Sequence, residues 1–470
     1  MGVFLAVLEW SALLVSATAV ILVLEERSIF DLLDVVDLVN VLLPAFAISV
    51  ASVISFYYND LYDMRIARRF RDFVLRLLQA VGLTIMLLAV AYFAFPDIML
   101  TRWTLFLTVA IMVVLLVLLR AAWYAVLRRR PFSDRVLILG SGRLALSVAR
   151  LIDAAPELRL SIVGCLADQA ETDTSSPSML PILGPMERLR DVIRDVKPDR
   201  IVVALAERRG RLPIGDLLLS RFAGIMVEDG ADVYERLAGK LAIESVTPSS
   251  LIFSHDFRKS RWPRAIQRSL SLAVAAVATV VTAPLMVLIG LLIKLESSGP
   301  ALFVQTRIGL NGRPFRLLKF RTMRVADGAE RSFWVKDNQD RLTRLGRFLR
   351  RSRLDELPQF VNVLRGDMNL VGPRPQPVGN AELFRRAIPF YELRSVVRPG
   401  VTGWAQIRYG YANNLFEETE KMRYDLYYIK RMSTLFDVLI LFETFKIMLF
   451  GRGAHGATVY EGHPLEGETS

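Results

Sequence analysis

The sequence predicts a membrane protein of mixed α and α/β class, and three observations support this prediction. Apolar residues make up 53% of the 470-residue chain and are concentrated in long stretches. Short runs rich in β-branched residues follow, separated by helical patterns. A later apolar run contains an internal proline and has basic residues on both sides. A chain of this length exceeds one hydrophobic core, so several folded units are expected.

Four apolar stretches in the first third of the chain are each long enough to cross a bilayer, which takes about 20 residues. Aromatic and basic residues flank them, as is typical of membrane helices. A buried helical core is the alternative for any single stretch, but four in series favour a transmembrane bundle. The stretches are residues 3–24, 35–58, 73–95 and 103–127.

The charges of the connecting loops predict how this bundle is oriented. Arginines are concentrated between the second and third stretches and directly after the fourth, whereas the first loop carries four acids and a single arginine, Arg27. Loops rich in arginine stay on the cytoplasmic side. We therefore expect the chain beyond Arg130 to begin in the cytoplasm. The first stretch lacks a basic segment before it and a cleavage site, so we expect it to be retained.

Composition also excludes several classes of function. The net charge is +12, and much of it lies beside membrane segments, where attraction to anionic headgroups accounts for it. No nucleic-acid-binding motif accompanies the charge, so nucleic acid is not an expected partner. The single cysteine, Cys165, excludes internal disulfides and a multi-cysteine zinc site. The three histidines are far apart in sequence, which argues against a Ser-His-Asp or zinc hydrolase.

Residues 134–250 alternate between strand-like and helical patterns, which predicts a doubly wound, Rossmann-like α/β domain. Its first strand ends in Gly140-Ser-Gly142 and a helix follows. These glycines could let the backbone approach a pyrophosphate, with Asp168 as the ribose-binding acid. Alternatively, they serve only the tight turn and helix packing. We expect either a lost cofactor site or a regulatory nucleotide site.

The apolar run 269–293 is long enough to span a membrane, but Pro284 lies inside it. Proline removes a helical hydrogen bond and bends the chain. A full span would carry the arginine-rich segment that follows to the other side, against the charge rule. We therefore expect a re-entrant helix, broken at Pro284, that enters and leaves on the cytoplasmic face. A plain span is the alternative.

The most informative stretch is 341–375. Six arginines occur within thirteen residues and lead into two adjacent acids, Asp355 and Glu356. Pro358 and an apolar run follow, which predicts that the acids lie in the first turn of a helix and stay ionised, because free N–H groups and the helix dipole favour negative charge there. The pattern indicates chemistry on a phosphate ester, with one acid as nucleophile or base and the other holding a metal. A simple helix cap is the alternative.

Further motifs surround this stretch. Asn311-Gly312 predicts a hairpin that leads into Lys319-Phe-Arg-Thr-Met, and Val-Gly-Pro-Arg374-Pro places an arginine between two prolines, which stiffens its backbone. Together with Leu-Asp-Glu-Leu-Pro-Gln and Arg398-Pro-Gly-Val-Thr-Gly, these motifs closely resemble those of the bacterial sugar transferases, the monotopic phosphoglycosyl transferases. The resemblance covers about residues 260–450. The preceding spans and α/β domain resemble the family's large form, which initiates exopolysaccharide, capsule and O-antigen synthesis.

The resemblance implies a role for each matching residue. Asp355 would attack the sugar-bearing phosphorus of a nucleoside-diphosphate sugar and carry the phosphosugar until polyprenyl phosphate accepts it. Glu356 would bind Mg²⁺. The other matches are phosphate- or substrate-binding: Arg350 and Arg374 for phosphates, and Lys319 and Arg321 as a basic pair near the metal. In the family a serine commonly precedes the helix-breaking proline, whereas here Ala283 does.

The resemblance therefore implies transfer of hexose-1-phosphate from a UDP-sugar to undecaprenyl phosphate, with Mg²⁺ as cofactor and UMP as product. Glucose and galactose are the leading candidates for the hexose. The implied location is the bacterial inner membrane, with the catalytic domain facing the cytoplasm, and a homodimer is left open. Two alternatives remain: a membrane-anchored nucleotide-sugar dehydratase or epimerase, which needs a second, NAD-binding domain, and a non-catalytic scaffold of polysaccharide export.

The expected organisation has five segments. They are a four-span transmembrane bundle (1–130), the Rossmann-like α/β domain (131–255), a basic interfacial segment with the re-entrant membrane helix (256–300), a mostly helical catalytic domain (301–450) and a disordered tail (451–470).

Overall fold

The structure is a computed structural model of the chain. The chain divides into two compact units, the first formed by residues 1–203 and 209–227 and the second by residues 204–208 and 228–470. The expectations for Asp168 and for the tail 451–470 lie outside the described residues. The structure describes residues 2–24, 35–59, 61, 70–96, 99–128, 133–155, 158–167, 180–205, 212–243, 261–324, 342–410, 412 and 414–450.

Four helices at the start of the first unit coincide with the four apolar stretches of the sequence. Leu13, Ile21 and Ile48 are fully buried between them, whereas Val15 and Phe93 point outward and are largely exposed. Apolar side chains on both the inner and outer surfaces are typical of helices surrounded by lipid. The helices are α1 (Gly2–Leu24), α2 (Val35–Tyr58), α3 (Phe70–Ala94) and α4 (Arg102–Arg128).

Four helices among the described residues are long and apolar enough to cross a membrane. Three of these segments lie in α2, α3 and α4, and the fourth belongs to a later helix, α9 (Arg261–Glu296). The apolar part of α1 counts as a shorter stretch, Leu8–Leu24. Their length and composition indicate a membrane protein. The segments are Val39–Tyr58, Arg76–Ala94, Arg102–Leu119 and Trp262–Glu296.

A five-stranded sheet follows the first four helices, with strand order β3-β2-β1-β4-β5. Strand β1 pairs in parallel with β2 and β4, and β2 pairs in parallel with β3. Side chains of β1 are buried on both faces, which explains its continuous apolar run. The elements are β1 (Asp134–Leu139), α5 (Arg143–Asp153), β2 (Leu160–Ala167), β3 (Ile182–Pro185), α6 (Leu189–Val196), β4 (Arg200–Val203), α7 (Ile214–Phe222) and β5 (Met226–Asp229).

The described residues of the second unit are mostly helical, with two small sheets of two strands each. Short 3₁₀ helices connect several of its elements. After α8 (Gly230–Ala238) and α9, its elements are β6 (Leu302–Ile308), β7 (Pro314–Phe320), α10 (Arg344–Arg351), α11 (Gln359–Arg365), β8 (Asn369–Val371), α12 (Val378–Ala387), β9 (Gly400–Thr402), α13 (Trp404–Arg408), α14 (Leu415–Arg431) and α15 (Thr434–Phe450).

Strands β6 and β7 form the predicted antiparallel hairpin, paired from Leu302 with Phe320 to Ile308 with Pro314. Its turn contains Asn311 and Gly312, which both have positive φ angles, of 54° and 76°. Asn and Gly adopt this left-handed conformation with little strain. The hairpin delivers Lys319 and Phe320 to the interior of the second unit.

Helix α9 continues as a helix on both sides of Pro284. Near its start, Arg268 Nη1 donates to the carbonyl oxygen of Met368 at 2.7 Å, and Met368 belongs to the main core of the second unit. Near its end, Ile289 and Ile293 pack with Phe320 and Leu349. Both ends of α9 therefore contact the same unit, whereas the apolar side chains around its midpoint are mostly exposed.

Candidate active site

The two adjacent acids lie in a single 3₁₀ turn, Leu354–Glu356, directly before α11. The chain enters this turn through Arg353, whose φ of 56° is in the left-handed region, a conformation that costs a non-glycine residue roughly 1 kcal/mol or more. The N–H groups of Glu356 and Leu357 bond to carbonyls three residues earlier. The predicted helical first turn is thus a separate 3₁₀ turn, and these two N–H groups are already paired.

Glu356 is held by two cations. Lys319 Nζ lies 2.6 Å from its Oε1, and Arg374 Nη2 lies 3.1 Å from the same oxygen. Burial alone would raise the pKa of Glu356, but the charges of Lys319 and Arg374 outweigh it and hold that pKa well below the usual range. In turn, burial lowers the pKa of Lys319 to about 8, although Glu356 opposes the shift. Glu356 is therefore ionised because of its partners, and not because of a helix dipole.

Asp355 is 8% exposed, and several charged side chains act on it. Burial raises the pKa of its carboxyl group, an effect that the positive charges of Lys319, Arg374 and Arg350 oppose and the negative charge of Glu356 reinforces. Among the described residues, no donor is hydrogen-bonded to this carboxylate. Its oxygens are therefore available to a substrate.

Arg374 is carried by a loop that packs closely against the strand β9 region. Gly372 N donates to Thr402 O at 2.9 Å, and Gly400 N donates to Pro373 O at 3.0 Å. A Cβ atom at Gly372 would lie 2.5 Å from Arg398 O, which is too short for any side chain. Glycine is therefore required in the Val-Gly-Pro-Arg-Pro motif so that the two backbones can approach.

The remaining two predicted binding residues, Arg350 and Arg321, have different hydrogen-bond partners. Arg350 Nε donates to Thr322 Oγ1 at 3.0 Å, and its charge acts on Asp355. Arg321 instead donates to the carbonyl oxygens of Ser297 and Ser298, at 2.8 and 2.7 Å, just beyond the end of α9. The structure thus brings Lys319, Arg350 and Arg374 around the acids, whereas Arg321 caps the membrane helix.

The weak nucleotide-binding motif lies in the first unit. Gly140 follows β1 with a φ of 116°, and Gly142 is the N-terminal cap of α5. Gly140 N donates to Leu166 O at 2.9 Å, so the turn is tied to β2. Turn geometry therefore accounts for Gly140, whereas Gly142 has a φ of −74° that other residues also adopt. The third residue of the motif, Asp168, lies outside the described residues.

Sequence reasoning missed a cluster of buried charges in the second unit. Arg394 Nη1 lies 2.9 Å from Glu418 Oε1, and Arg394 Nη2 lies 2.6 Å from Asp425 Oδ2. All three side chains are at most 5% exposed. A signal existed in the sequence, because Glu418, Lys421 and Asp425 recur at helical spacing beside apolar Met422, and therefore share the buried face of α14.

The carboxylate oxygens of Asp355 and Glu356 can be compared with the ligands that Mg²⁺ requires. Among the described residues, no group of three or more His, Cys, Asp or Glu side chains could hold a metal ion. Mg²⁺ nevertheless binds commonly through one or two carboxylates, with water and substrate phosphates as its other ligands. Both ion pairs of Glu356 use Oε1, and the Asp355 carboxylate accepts no hydrogen bond from a described residue. The residues present therefore fit Mg²⁺ when a phosphate substrate is bound.

Fold and site together define a membrane-associated protein that presents a buried carboxylate among cations, an arrangement suited to phosphate groups. A family model described as bacterial sugar transferase matches residues 262–451, the part that contains this site. The UDP-glucose:undecaprenyl-phosphate glucose-1-phosphate transferase of Caulobacter vibrioides is 43% identical over 185 residues, which cover 39% of this chain and 69% of that protein. The chain therefore belongs to the bacterial sugar transferase family.

Other relatives match different portions of the chain. A UDP-N-acetylgalactosamine-undecaprenyl-phosphate N-acetylgalactosaminephosphotransferase of Aeromonas hydrophila is 45% identical over 189 residues, or 40% of this chain and 45% of that protein. An undecaprenyl-phosphate glucose phosphotransferase of Komagataeibacter xylinus is 34% identical over 339 residues, or 69% of this chain and 61% of that protein. The chain thus spans about half the length of these two relatives. A CoA-binding domain model matches residues 58–212.

Proposed function

We propose that this protein transfers a hexose-1-phosphate from a UDP-sugar to undecaprenyl phosphate, with release of UMP. The product, undecaprenyl-diphosphate-hexose, would begin exopolysaccharide, capsule or O-antigen synthesis. The observation that carries the proposal is the buried Asp355 carboxylate beside Glu356, which accepts no hydrogen bond from a described residue and on which the charges of Lys319, Arg350 and Arg374 act. The family membership and the names of the relatives support the same activity.

The proposed reaction has two steps at one phosphorus atom. An Asp355 carboxylate oxygen bonds to the sugar-bearing phosphorus, and the bond from that phosphorus to the bridging oxygen breaks, so that UMP leaves with the bridging oxygen and its electron pair. A phosphate oxygen of undecaprenyl phosphate then bonds to the same phosphorus and displaces the carboxylate. Carboxylates serve as covalent nucleophiles toward phosphoryl groups in this way. Two separate half-reactions predict ping-pong kinetics.

The cations of the site have distinct tasks in this proposal. Arg374 can bind phosphate oxygens through its planar guanidinium group while it pairs with Glu356. Lys319 binds the same oxygen of the Glu356 carboxylate and fixes it. Mg²⁺, held by Glu356 with Asp355 nearby, would neutralise charge on the diphosphate and on the leaving UMP. Catalysis then comes mainly from placement and charge stabilisation, as in other phosphoryl transfers.

We propose that α9 is a re-entrant membrane helix with its bend at Pro284. Both ends of the helix contact the same unit: Arg268 Nη2 donates to Val363 O at 2.7 Å near the start, and Glu296 Oε1 accepts from Leu345 N at 3.0 Å at the end. The midpoint residues Val280 and Val281 are more than 70% exposed. A straight transmembrane helix would place its two ends on opposite sides of the bilayer, where one domain could not contact both.

The local chemistry of α9 also favours a bend. Pro284 has no N–H group to donate to the carbonyl four residues earlier. Thr282 Oγ1 donates to Ala278 O at 2.7 Å, and hydroxyl groups that bond back to the helix in this way promote bending. Thr282 therefore supplies a hydroxyl group next to Ala283, where the family commonly has a serine. With the arginine-rich loops, this supports an inner-membrane protein whose catalytic part faces the cytoplasm.

The alternatives predict other features of the second unit. A nucleotide-sugar dehydratase or epimerase would need a second NAD-binding domain there. The described residues of that unit instead form sheets of only two strands, and they match the sugar transferase model. We infer a Rossmann-like fold for the first unit's sheet from its parallel pairing and strand order. The other alternative, a non-catalytic scaffold of polysaccharide export, is distinguished from the proposed enzyme by whether the purified protein turns over a UDP-sugar.

The experiment that tests the proposal measures UMP release from a panel of UDP-sugars with undecaprenyl phosphate and Mg²⁺. UDP-glucose and UDP-galactose are the first substrates to assay, and UDP-N-acetylgalactosamine extends the panel to the sugar in the name of the Aeromonas hydrophila relative. We expect lipid-dependent UMP release with one of them. Absence of release across the panel, from protein shown to be folded, would refute the proposed activity.

A further inference from the structure

The loop that carries Arg374 is anchored at four consecutive carbonyl groups. Pro373 O accepts from Gly400 N at 3.0 Å, and Gln376 O accepts from Ile308 N at 2.9 Å. The two carbonyls between them accept from arginine side chains: Arg374 O from Arg394 Nη2 at 3.4 Å, and Pro375 O from Arg307 Nη1 at 2.6 Å. Two of the four donors are neighbours on β6, Arg307 and Ile308, and the other two are Arg394 and Gly400.

Arg307 lies on β6 and is aligned by a neighbouring amide. Gln305 Oε1 accepts from both Arg307 Nε and Arg307 Nη2, at 3.1 and 2.7 Å. These bonds leave Nη1 directed at Pro375 O. Arg307 therefore connects the hairpin to the loop through a fixed guanidinium group rather than a mobile one.

Arg394 also donates to the loop and is fixed by the buried charges of α14. Glu418 and Asp425 bind its two terminal nitrogens. Glu418 also accepts from Gln376 Nε2 at 2.8 Å, so the same carboxylate binds the loop directly. The cluster is balanced, because Lys421 provides the second positive charge, 4.0 Å from Glu418.

We propose that Arg307 and Arg394 are positioning residues that set the location of the Arg374 guanidinium relative to Asp355 and Glu356. This inference rests on the proposed function, in which Arg374 binds the phosphates of the substrate. Pro373 and Pro375 restrict the backbone on both sides of Arg374. Because the loop is internally stiff, its placement depends on the hydrogen bonds that its four carbonyl groups accept. Misplacement by about 1 Å lowers the rate of a catalysed reaction by up to about 100-fold.

The decisive experiment is a double-mutant cycle on kcat/KM for the UDP-sugar. Arg307→Met removes the hydrogen bonds while retaining a side chain of similar length, and we expect a 10- to 100-fold loss. In the Arg374→Ala background the same change should cause less than about a twofold further loss, because Arg307 acts through Arg374. A full, multiplicative loss in that background would overturn the proposal, as would an Arg307→Met enzyme with wild-type kcat/KM.

Matched variants separate positioning from general effects. Arg313→Ala, at an exposed arginine of the same hairpin, should keep wild-type activity. Arg307→Lys retains the charge and one donor, so it should recover part of the activity that Arg307→Met loses. Arg394→Lys tests the other anchor and should resemble Arg307→Met. Arg394→Lys leaves Glu418 and Asp425 with fewer partners, so the folding of this variant is checked by thermal unfolding. If Arg394→Lys does not fold, the result for Arg307→Met decides whether the proposal stands.

Hydrogen exchange tests the loop without depending on activity. Amide exchange in a peptide covering residues 369–377 should be at least about fivefold faster in Arg307→Met than in wild type, and unchanged in Arg313→Ala and Arg374→Ala. Arg374→Ala would thus lose activity although the amides of its loop remain protected from exchange. Equal protection in Arg307→Met and wild type would overturn the inference. Absence of UMP release from the wild type would refute the proposed function instead, and the exchange result would still stand.

Discussion

Asp355 and Glu356 are neighbours in sequence but differ in their electrostatic environment. Glu356 accepts hydrogen bonds from Lys319 and Arg374, which hold its pKa well below the usual range despite burial. Asp355 has no such bonds from described residues, and burial raises its pKa. One carboxylate therefore accepts bonds from protein cations, whereas the other is open to a substrate, as the proposed nucleophile must be.

Replacing Asp355 should therefore remove the chemistry without removing the site. We expect Asp355→Asn to lower UMP release by a factor on the order of 10³ or more, because an amide is not a competent nucleophile. In parallel, UDP-sugar labelled in the hexose and incubated without lipid should leave acid-labile label on wild-type protein and none on Asp355→Asn. Glu382→Gln, which changes a carboxylate that is 64% exposed, should behave as wild type. Full activity in Asp355→Asn would exclude the nucleophile role.

At the scale of elements, α15 introduces a buried acid into the main core of the second unit. Tyr428 Oη donates to Asp437 Oδ1 at 2.8 Å. Burial raises the pKa of Asp437 from 3.8 to about 7, although hydrogen bonds from Tyr428 and Gln267 favour the ionised form. Because the folded-state pKa is the higher one, protonated Asp437 contributes stability that is complete below pH 3.8 and is lost as the pH rises through about 7.

This linkage predicts how stability depends on pH. Between pH 5 and pH 8 the contribution of Asp437 should fall by roughly 3 kcal/mol. Asp437→Asn is neutral throughout and keeps an acceptor for Tyr428, so its loss of Tm over this range should be smaller than that of wild type by about 5 °C or more. Thermal unfolding in detergent at the two pH values measures this. Glu392→Gln, at an acid that is 68% exposed, should retain the wild-type pH dependence. Identical pH dependence in all three proteins would contradict the assignment.

Helix α9 offers a test of membrane topology. Arg264 and Lys294 lie near its two ends and are exposed. In a Cys165→Ala background, single cysteines at either position should react with a membrane-impermeant maleimide in inside-out vesicles and not in right-side-out vesicles. A re-entrant helix requires both ends on the cytoplasmic face. Labelling of the two positions from opposite sides would show that α9 spans the bilayer, and the proposed bend would be wrong.

Pro284 itself can be changed. Pro284→Leu supplies an N–H group for the carbonyl four residues earlier and favours a straight helix. We expect at least about a tenfold loss of UMP release, because straightening separates the helix ends that pack on the site. Val281→Leu, at a position that is 71% exposed, provides the matched control and should remain active. Wild-type activity in Pro284→Leu would mean that the bend does not depend on the proline.

At the scale of the whole molecule, the segment from α8 to Ile243 belongs with the catalytic part of the chain. Trp404 Nε1 donates to Gly239 O at 2.7 Å, and Lys240 Nζ lies 2.6 Å from Glu420 Oε2. Glu235 Oε2 accepts from Lys430 Nζ at 2.7 Å. These contacts cover part of the aromatic core around Trp404, so we expect residues before 261 to stabilise the catalytic part.

Two truncated proteins test that expectation. A protein that begins at residue 228 retains these contacts, whereas one that begins at residue 261 lacks Lys240 and Glu235, the ion-pair partners of Glu420 and Lys430, and uncovers Trp404. We expect the shorter protein to unfold at a Tm lower by about 5 °C or more, measured in the same detergent. Lys240→Met in the longer protein should produce part of this decrease. Equal Tm values for the two truncated proteins would contradict the role of the segment.

Features that depend on local pattern were predicted correctly. The apolar stretches became helices at nearly the expected bounds, and the Asn311-Gly312 turn became a hairpin, because helix length and turn conformation follow from nearby residues. The helical first turn expected at Asp355 became a separate 3₁₀ turn instead. The left-handed conformation of Arg353 that begins it had no signal in the sequence.

The charge partners were less accessible to sequence reasoning. Motif order indicated that Lys319, Arg350 and Arg374 belong with the acids, and the structure brings their charges together. Arg321 donates hydrogen bonds to the carbonyl groups of Ser297 and Ser298, and these partners depend on where α9 ends in space. The spacing of Glu418, Lys421 and Asp425 indicates a shared face of α14, but nothing in the sequence indicates that Arg394, more than twenty residues away, is their partner.

The sequence alone determined that the chain enters a membrane, that an α/β segment lies between its apolar regions, and that a pair of acids follows an arginine-rich helix. These properties reside in hydropathy, in short-range periodicity and in motif order, which are read along the chain. Only the tertiary structure decided which carboxylate is bound by cations and which is open, and which arginines support the Arg374 loop. Those outcomes depend on burial and on distances between remote segments, and these are established only when the chain packs.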